Sequence, residues 1–126
     1  MNARPLLLVE DNELNRDMLS RRLRRAGYTV ALAEDGAEAL VQIASIRPAV
    51  VLLDMNLPIV DGWTVCERVR GNPSISDTAI IALTAHAMAE DRDKAMASGC
   101  DDYATKPIDF PALLAKIDQL LDRADS

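Results

Sequence analysis

Val50-Val51-Leu52-Leu53 is apolar at every position, follows Ala49 and breaks off at Asp54. A strand without a polar face must be covered on both sides, as in a parallel sheet flanked by helices. Two other runs end in the same abrupt way. Leu6-Leu7-Leu8-Val9 stops at Glu10-Asp11, and Ile80-Ile81-Ala82-Leu83 stops at Thr84. A shorter segment around Tyr103 runs into Lys106-Pro107.

Helical patterns fill the gaps between these runs. Glu13 to Ala26 is expected to be a helix with Leu14, Met18, Leu19 and Leu23 on one face, stopped by Gly27. Tyr28, Val30 and Leu32 alternate with Thr29 and Ala31 as a strand does. A second helix spans about Ala37 to Ile46, with Ala39, Leu40 and Ile43 inward, and Pro48 lies beyond it. A third starts near Trp63, after an Asp61-Gly62 turn signal, and ends at Gly71-Asn72-Pro73. Strand four covers Ala79–Leu83. The helix around Met88–Ser98 carries small residues such as Ala95 and Ala97 in place of an apolar stripe, and Gly99 caps it. A short strand lies near Asp102–Ala104. The last helix, capped by Asp109, aligns Phe110, Leu113, Leu114, Ile117, Leu120 and Leu121.

Five strands alternating with five helices predict an α/β fold, a doubly wound (βα)5 arrangement with a five-stranded parallel sheet. Right-handed crossovers leave few topologies. The expected strand order is 2-1-3-4-5, the flavodoxin-like order, with a crevice between strands one and three. A chain of 126 residues fits one domain, with a core from about residue 5 to 121. Half the residues are apolar (49%) but few are aromatic, so that core is aliphatic.

No apolar run reaches the ~20 residues that span a bilayer, and Met1–Pro5 lacks a signal-peptide pattern. A cytoplasmic location is the default expectation. Cys66 and Cys100 show no metal-ligand spacing and are read as reduced, small apolar residues. The net charge of −6 disfavours nucleic acid as a partner. Arg21, Arg22, Arg24 and Arg25 are the local exception, either as a solvated helix end or as a dock for an acidic protein.

In open α/β sheets the site lies at the carboxyl ends of the strands. Glu10, Asp11 and Asp54 would meet there, and three carboxylates need a counter-charge at neutral pH. A magnesium ion (or Mn2+) suits an all-oxygen set, with the Asn56 carbonyl available as a further ligand. A carboxylate can also accept a phosphoryl group, a reaction that rests on positioning and charge neutralisation. Asp54 would be the acceptor, Lys106 a point charge and Thr84 a hydroxyl donor. With no spare general base and no separate substrate pocket, self-modification fits better than turnover, so the chain is not expected to be an enzyme. Taken singly, these residues could be turn formers, a helix cap and a surface lysine.

LLLVEDN (Leu6–Asn12), VVLLDMNLPIVDGW (Val50–Trp63), IIALTAHA (Ile80–Ala87) and GCDDYATKPI (Gly99–Ile108) together resemble the CheY-like receiver domain of two-component response regulators, single-domain type. The resemblance implies that Asp54 is the phospho-acceptor and that Glu10, Asp11, Asp54 and the Asn56 carbonyl hold the metal. It implies that Thr84 and Tyr103 form a switch pair, that Lys106 binds phosphate and that a cis bond precedes Pro107. The side chains of Asn56 and His86 would tune the phosphoryl lifetime.

By the same resemblance, a histidine kinase or histidine phosphotransfer protein would be the donor. The fourth helix, fifth strand and fifth helix (α4-β5-α5) would form the surface that binds a downstream protein, with the chain a monomer or weak dimer. Two other settings remain open: a module of a hybrid histidine kinase, and a docking or allosteric adaptor whose phosphorylation is incidental. A haloacid-dehalogenase-type phosphatase is disfavoured, because it needs a second Asp where Asn56 stands. Flavodoxin is disfavoured because Glu10-Asp11 would repel a flavin phosphate.

Overall fold

The sheet is five-stranded and parallel, in the order β2-β1-β3-β4-β5. The computed structural model describes residues 4–85 and 89–125. Its elements are β1 (Leu6–Val9), α1 (Glu13–Arg25), β2 (Val30–Ala33), α2 (Gly36–Ile46), β3 (Val50–Asp54), α3 (Gly62–Arg70), β4 (Ala79–Thr84), α4 (Ala89–Ala97), β5 (Asp102–Thr105) and α5 (Phe110–Asp125). The α/β fold and the strand order are those expected; the expected start of α4 at Met88 falls outside the described residues.

Period-two alternation sorts the strand residues into two layers. Leu7, Val9, Val51, Leu53, Ile80 and Ala82 enter the layer shared with α2, α3 and α4. Leu6, Leu8, Val50, Leu52, Ile81 and Leu83 enter the layer shared with α1 and α5. Both faces of β1 and β3 are therefore buried, which explains why their sequences carry no polar position. Each fully buried Leu or Ile contributes about 1.5–3 kcal/mol.

The helix starts are set by side-chain caps. Asn12, Asp35 and Asp61 each accept the backbone N–H three residues on, satisfying a donor the helix leaves open. After α1, Gly27 takes φ 102°, a left-handed turn that suits glycine.

The apolar face of α1 is buried only in part. Leu14 is 66% exposed and Met18 55% exposed, so neither lies on the inner face. The helix instead turns Leu23 and Ser20 inward, with Arg16 and Leu19 half-buried. Ser20 is tolerated there because its hydroxyl donates to the Asp17 carbonyl one turn back. In α4, Ala95 is buried while Ala97 is exposed.

Candidate functional site

Register brings the acids together. Val9 pairs with Leu53, so Glu10 and Asp54 emerge at the same level where β1 and β3 end. Glu10, Asp54 and Thr84 are buried, with 4%, 3% and 3% of their surfaces exposed, while Asp11 and Asn56 are exposed. One carboxylate oxygen from each of Glu10, Asp11 and Asp54 lies within 4.8 Å of the others.

Lys106, the residue after β5, closes the cluster. Its Nζ donates to Asp54 Oδ2 at 2.8 Å and to Glu10 Oε2 at 3.1 Å. The Lys106–Pro107 bond is cis, and the Lys106 N–H donates to the Thr84 carbonyl. The remaining oxygens take backbone donors: Asp54 Oδ1 accepts from Asn56 N–H at 3.0 Å, and Glu10 Oε1 accepts from Asn12 N–H at 3.1 Å.

Three carboxylates still face one ammonium. Burial, then the negative charge of Asp54, raises the Glu10 pKa against the pull of the Asn12 N–H and Lys106. For Lys106, burial works against the charge, but the bonds and charges of Asp54 and Glu10 outweigh it and raise its pKa. The site is thus short of positive charge, and its donors are all oxygens. That set fits a hard divalent cation, which Glu10, Asp11 and Asp54 would hold.

The loop after β3 is held close by Gly62. A Cβ there would sit 2.6 Å from Met55 Cα, and the Gly62 N–H bonds the Met55 carbonyl. This tight return places Asn56 at the rim.

Sequence reasoning missed Arg16. Its guanidinium donates to the carbonyls of Glu10 (2.9 Å) and Asp11 (3.5 Å) and pairs with Glu34, pinning the acidic corner. Nothing in the local pattern marks it, because its partners lie on the preceding loop and after β2.

Tyr103 is half-buried against the α2–α3–α4 layer, and Lys116 of α5 donates to its carbonyl and lies 4.9 Å from its ring centre. His86 falls outside the described residues. Of the α1 arginines, Arg21 pairs with Asp17, Arg22 stacks on Phe110 at 4.2 Å, and Arg24 donates to the Val30 carbonyl.

A parallel α/β sheet thus carries an acidic triad and a lysine at its carboxyl edge, a set suited to a divalent cation beside an anionic group. The chain belongs to the response regulator receiver domain family of two-component signal transduction, whose family model matches residues 6–118. It is 38% identical over 120 residues to the DNA-binding dual master transcriptional regulator RpaA of Synechocystis, covering 95% of this chain and 50% of RpaA. The chain spans about half the length of the curated relatives it matches.

Among solved structures, a putative response regulator from Chloroflexus aurantiacus superposes with a TM-score of 0.91 at 35% identity, covering 96% of this chain and 99% of that one. The receiver domain of sensor histidine kinase PA1611 from Pseudomonas aeruginosa, with magnesium coordinated in its active-site cleft, gives 0.88 at 32%, covering 96% and 99%. The receiver domain of Saccharomyces cerevisiae Ssk1, in complex with the histidine phosphotransfer protein Ypd1, gives 0.85 at 31%, covering 91% and 86%. Among the described residues, no helix is long and apolar enough to cross a membrane.

Proposed function

We propose that Asp54 accepts a phosphoryl group from a phosphohistidine on a histidine kinase or phosphotransfer protein. The observation that carries this is a buried carboxylate hydrogen-bonded to Lys106 at 2.8 Å, inside an acidic set able to hold magnesium. An Asp54 oxygen bonds to phosphorus as the donor's P–N bond breaks, and the electron pair returns to the imidazole. Glu10, Asp11 and Asp54 would hold magnesium, with the Asn56 carbonyl as a further ligand, and the ion would supply charge neutralisation for the transferred group. Lys106 supplies positive charge from the other side, and Thr84, at the end of β4, supplies a hydroxyl. The domain modifies itself and is not a turnover enzyme. Asn56 and His86 set how long the acyl phosphate lasts.

The new dianion draws the Thr84 hydroxyl toward it, and Tyr103 follows inward, altering the α4–β5–α5 surface that a downstream protein reads. Kinase docking falls to α1. There Leu14 and Met18 are exposed, and a groove of 400 Å³ is lined by Glu10, Met18, Arg22, Lys106 and Pro107. Arg21 is the better probe of this docking, because its pair with Asp17 lies on the exposed surface whereas Arg22 stacks on Phe110.

The test is incubation with magnesium and acetyl phosphate, then mass spectrometry. A gain of one phosphoryl group on Asp54, absent in Asp54→Asn, is expected. A chain left unlabelled by every small phosphodonor, or labelled elsewhere, overturns the reading.

A further inference from the structure

Cys66 and Cys100 lie 34 positions apart in sequence, yet their sulfurs are 3.0 Å apart in the layer between the sheet and α3 and α4. Both are free thiols. Cys66 belongs to α3, and Cys100 lies between α4 and β5. We propose that they form a peroxide-sensitive dithiol site, which closes to an intramolecular disulfide tying α3 to the α4–β5 junction.

Exposure favours one thiol as the attacking group. Cys100 keeps 5% of its surface exposed, whereas Cys66 keeps none. The hydrogen bond shared with Cys66 lowers the Cys100 pKa; burial and the Asp101 carboxylate oppose this, and Ser98 and the Arg70 guanidinium add to the lowering. The same shared bond, together with burial, pushes the Cys66 thiol up against the pull of Arg70 and Ser98, which act on both cysteines. Arg70 is held in place by bonds to the carbonyls of Gly99, Ser76 and Thr78 and to Asp101. A thiolate is the nucleophile in thiol oxidation, and cationic neighbours promote it.

The chemistry balances with a hydroperoxide as oxidant. The Cys100 thiolate attacks one peroxide oxygen, an S–O bond forms, the O–O bond breaks and water leaves after protonation. Cys66 sulfur then attacks the sulfenic sulfur, the S–S bond forms, the S–O bond breaks and a second water carries off the Cys66 proton. Two thiols and one hydrogen peroxide give one disulfide and two waters. An S–S bond is about 2.05 Å, so the sulfurs need close only about 1 Å.

The experiment treats the full chain with hydrogen peroxide, then alkylates it under denaturing conditions. The expected result is an intact mass lower by two hydrogens, neither thiol alkylated, and a linked Cys66–Cys100 peptide that dithiothreitol separates. Because the bond closes a long loop, the melting temperature should rise by roughly 5 °C or more. Cys66→Ser should instead leave Cys100 at the sulfenic or sulfinic stage. Asp54→Asn should form the same bond, since the site does not depend on phosphorylation. Thiols that still alkylate at peroxide doses that oxidise the methionines would overturn the proposal, as would disulfide-linked dimers or separate over-oxidation of both cysteines.

Discussion

The two ends of the sheet each carry a partly buried charge cluster, and the clusters are built on opposite terms. At the amino ends of β4 and β5, Arg70 meets one carboxylate, Asp101, at 2.9 Å and spends its other donors on three carbonyls. Asp101 Oδ2 also accepts the Ile80 N–H, so one cation faces one anion and the cluster is neutral. At the carboxyl ends of β1, β3 and β5, one lysine faces Glu10, Asp11 and Asp54. Hydrogen-bond satisfaction does not separate the two, since among the described residues no buried side-chain nitrogen or oxygen lacks a partner. Charge does. The neutral cluster staples the chain, and the over-acidic one is left short of positive charge.

The sharpest way to break this contrast is Asp54→Asn. Phosphoryl labelling should vanish altogether, while the metal-free protein should melt no lower than the parent, because an anion leaves a crowd of like charges. A fall in metal-free stability of several kcal/mol would mean that Asp54 is a structural partner like Asp101. Arg70→Ala should behave in the opposite sense. Removing one partner of a buried pair costs about 3–5 kcal/mol, and this pair is a quarter exposed, so about 2–3 kcal/mol is expected in urea unfolding. Magnesium binding should be unchanged in that variant. Next comes magnesium itself: at about 100 times its Kd it should stabilise the parent by about 2.7 kcal/mol, and Arg70→Ala by as much. An equal shift in Asp54→Asn would remove Asp54 from the ligand set.

Much of this contrast was legible in the sequence. The unbroken apolar strands and their abrupt acidic ends dictate a parallel sheet with its carboxylates at one rim, because covering both strand faces leaves polar residues nowhere else to go. The staple was not legible. Arg70 joins Gly99 and Asp101 across about thirty positions, and no local period encodes such a pair. The Cys66–Cys100 contact was hidden in the same way. The buried face of α1 was hidden for a different reason. The spacing of Leu14 and Met18 suits one apolar face, but the stripe actually buried includes Ser20, whose polarity is satisfied within the helix and invisible to a hydropathy pattern.

The smallest expected effect is a pH slope. Glu10 is raised in the folded state by burial and by Asp54, so the fold binds its proton more tightly than the unfolded chain does. Its stabilising contribution is fully present below its ordinary value of 4.5 and is lost as pH rises through the raised folded value. Lys106 is raised as well, and its contribution persists to its ordinary 10.5 and fades only as pH rises through the raised value, leaving the acidic window to Glu10. The stability of the metal-free parent relative to Glu10→Gln should therefore fall as pH climbs from about 4.5 toward neutrality. Magnesium should flatten this fall, because the ion takes the deprotonated carboxylate. A parent-minus-variant difference that instead rises over the same range would show that Lys106 already neutralises the site, and the distinction between the two ends of the sheet would dissolve.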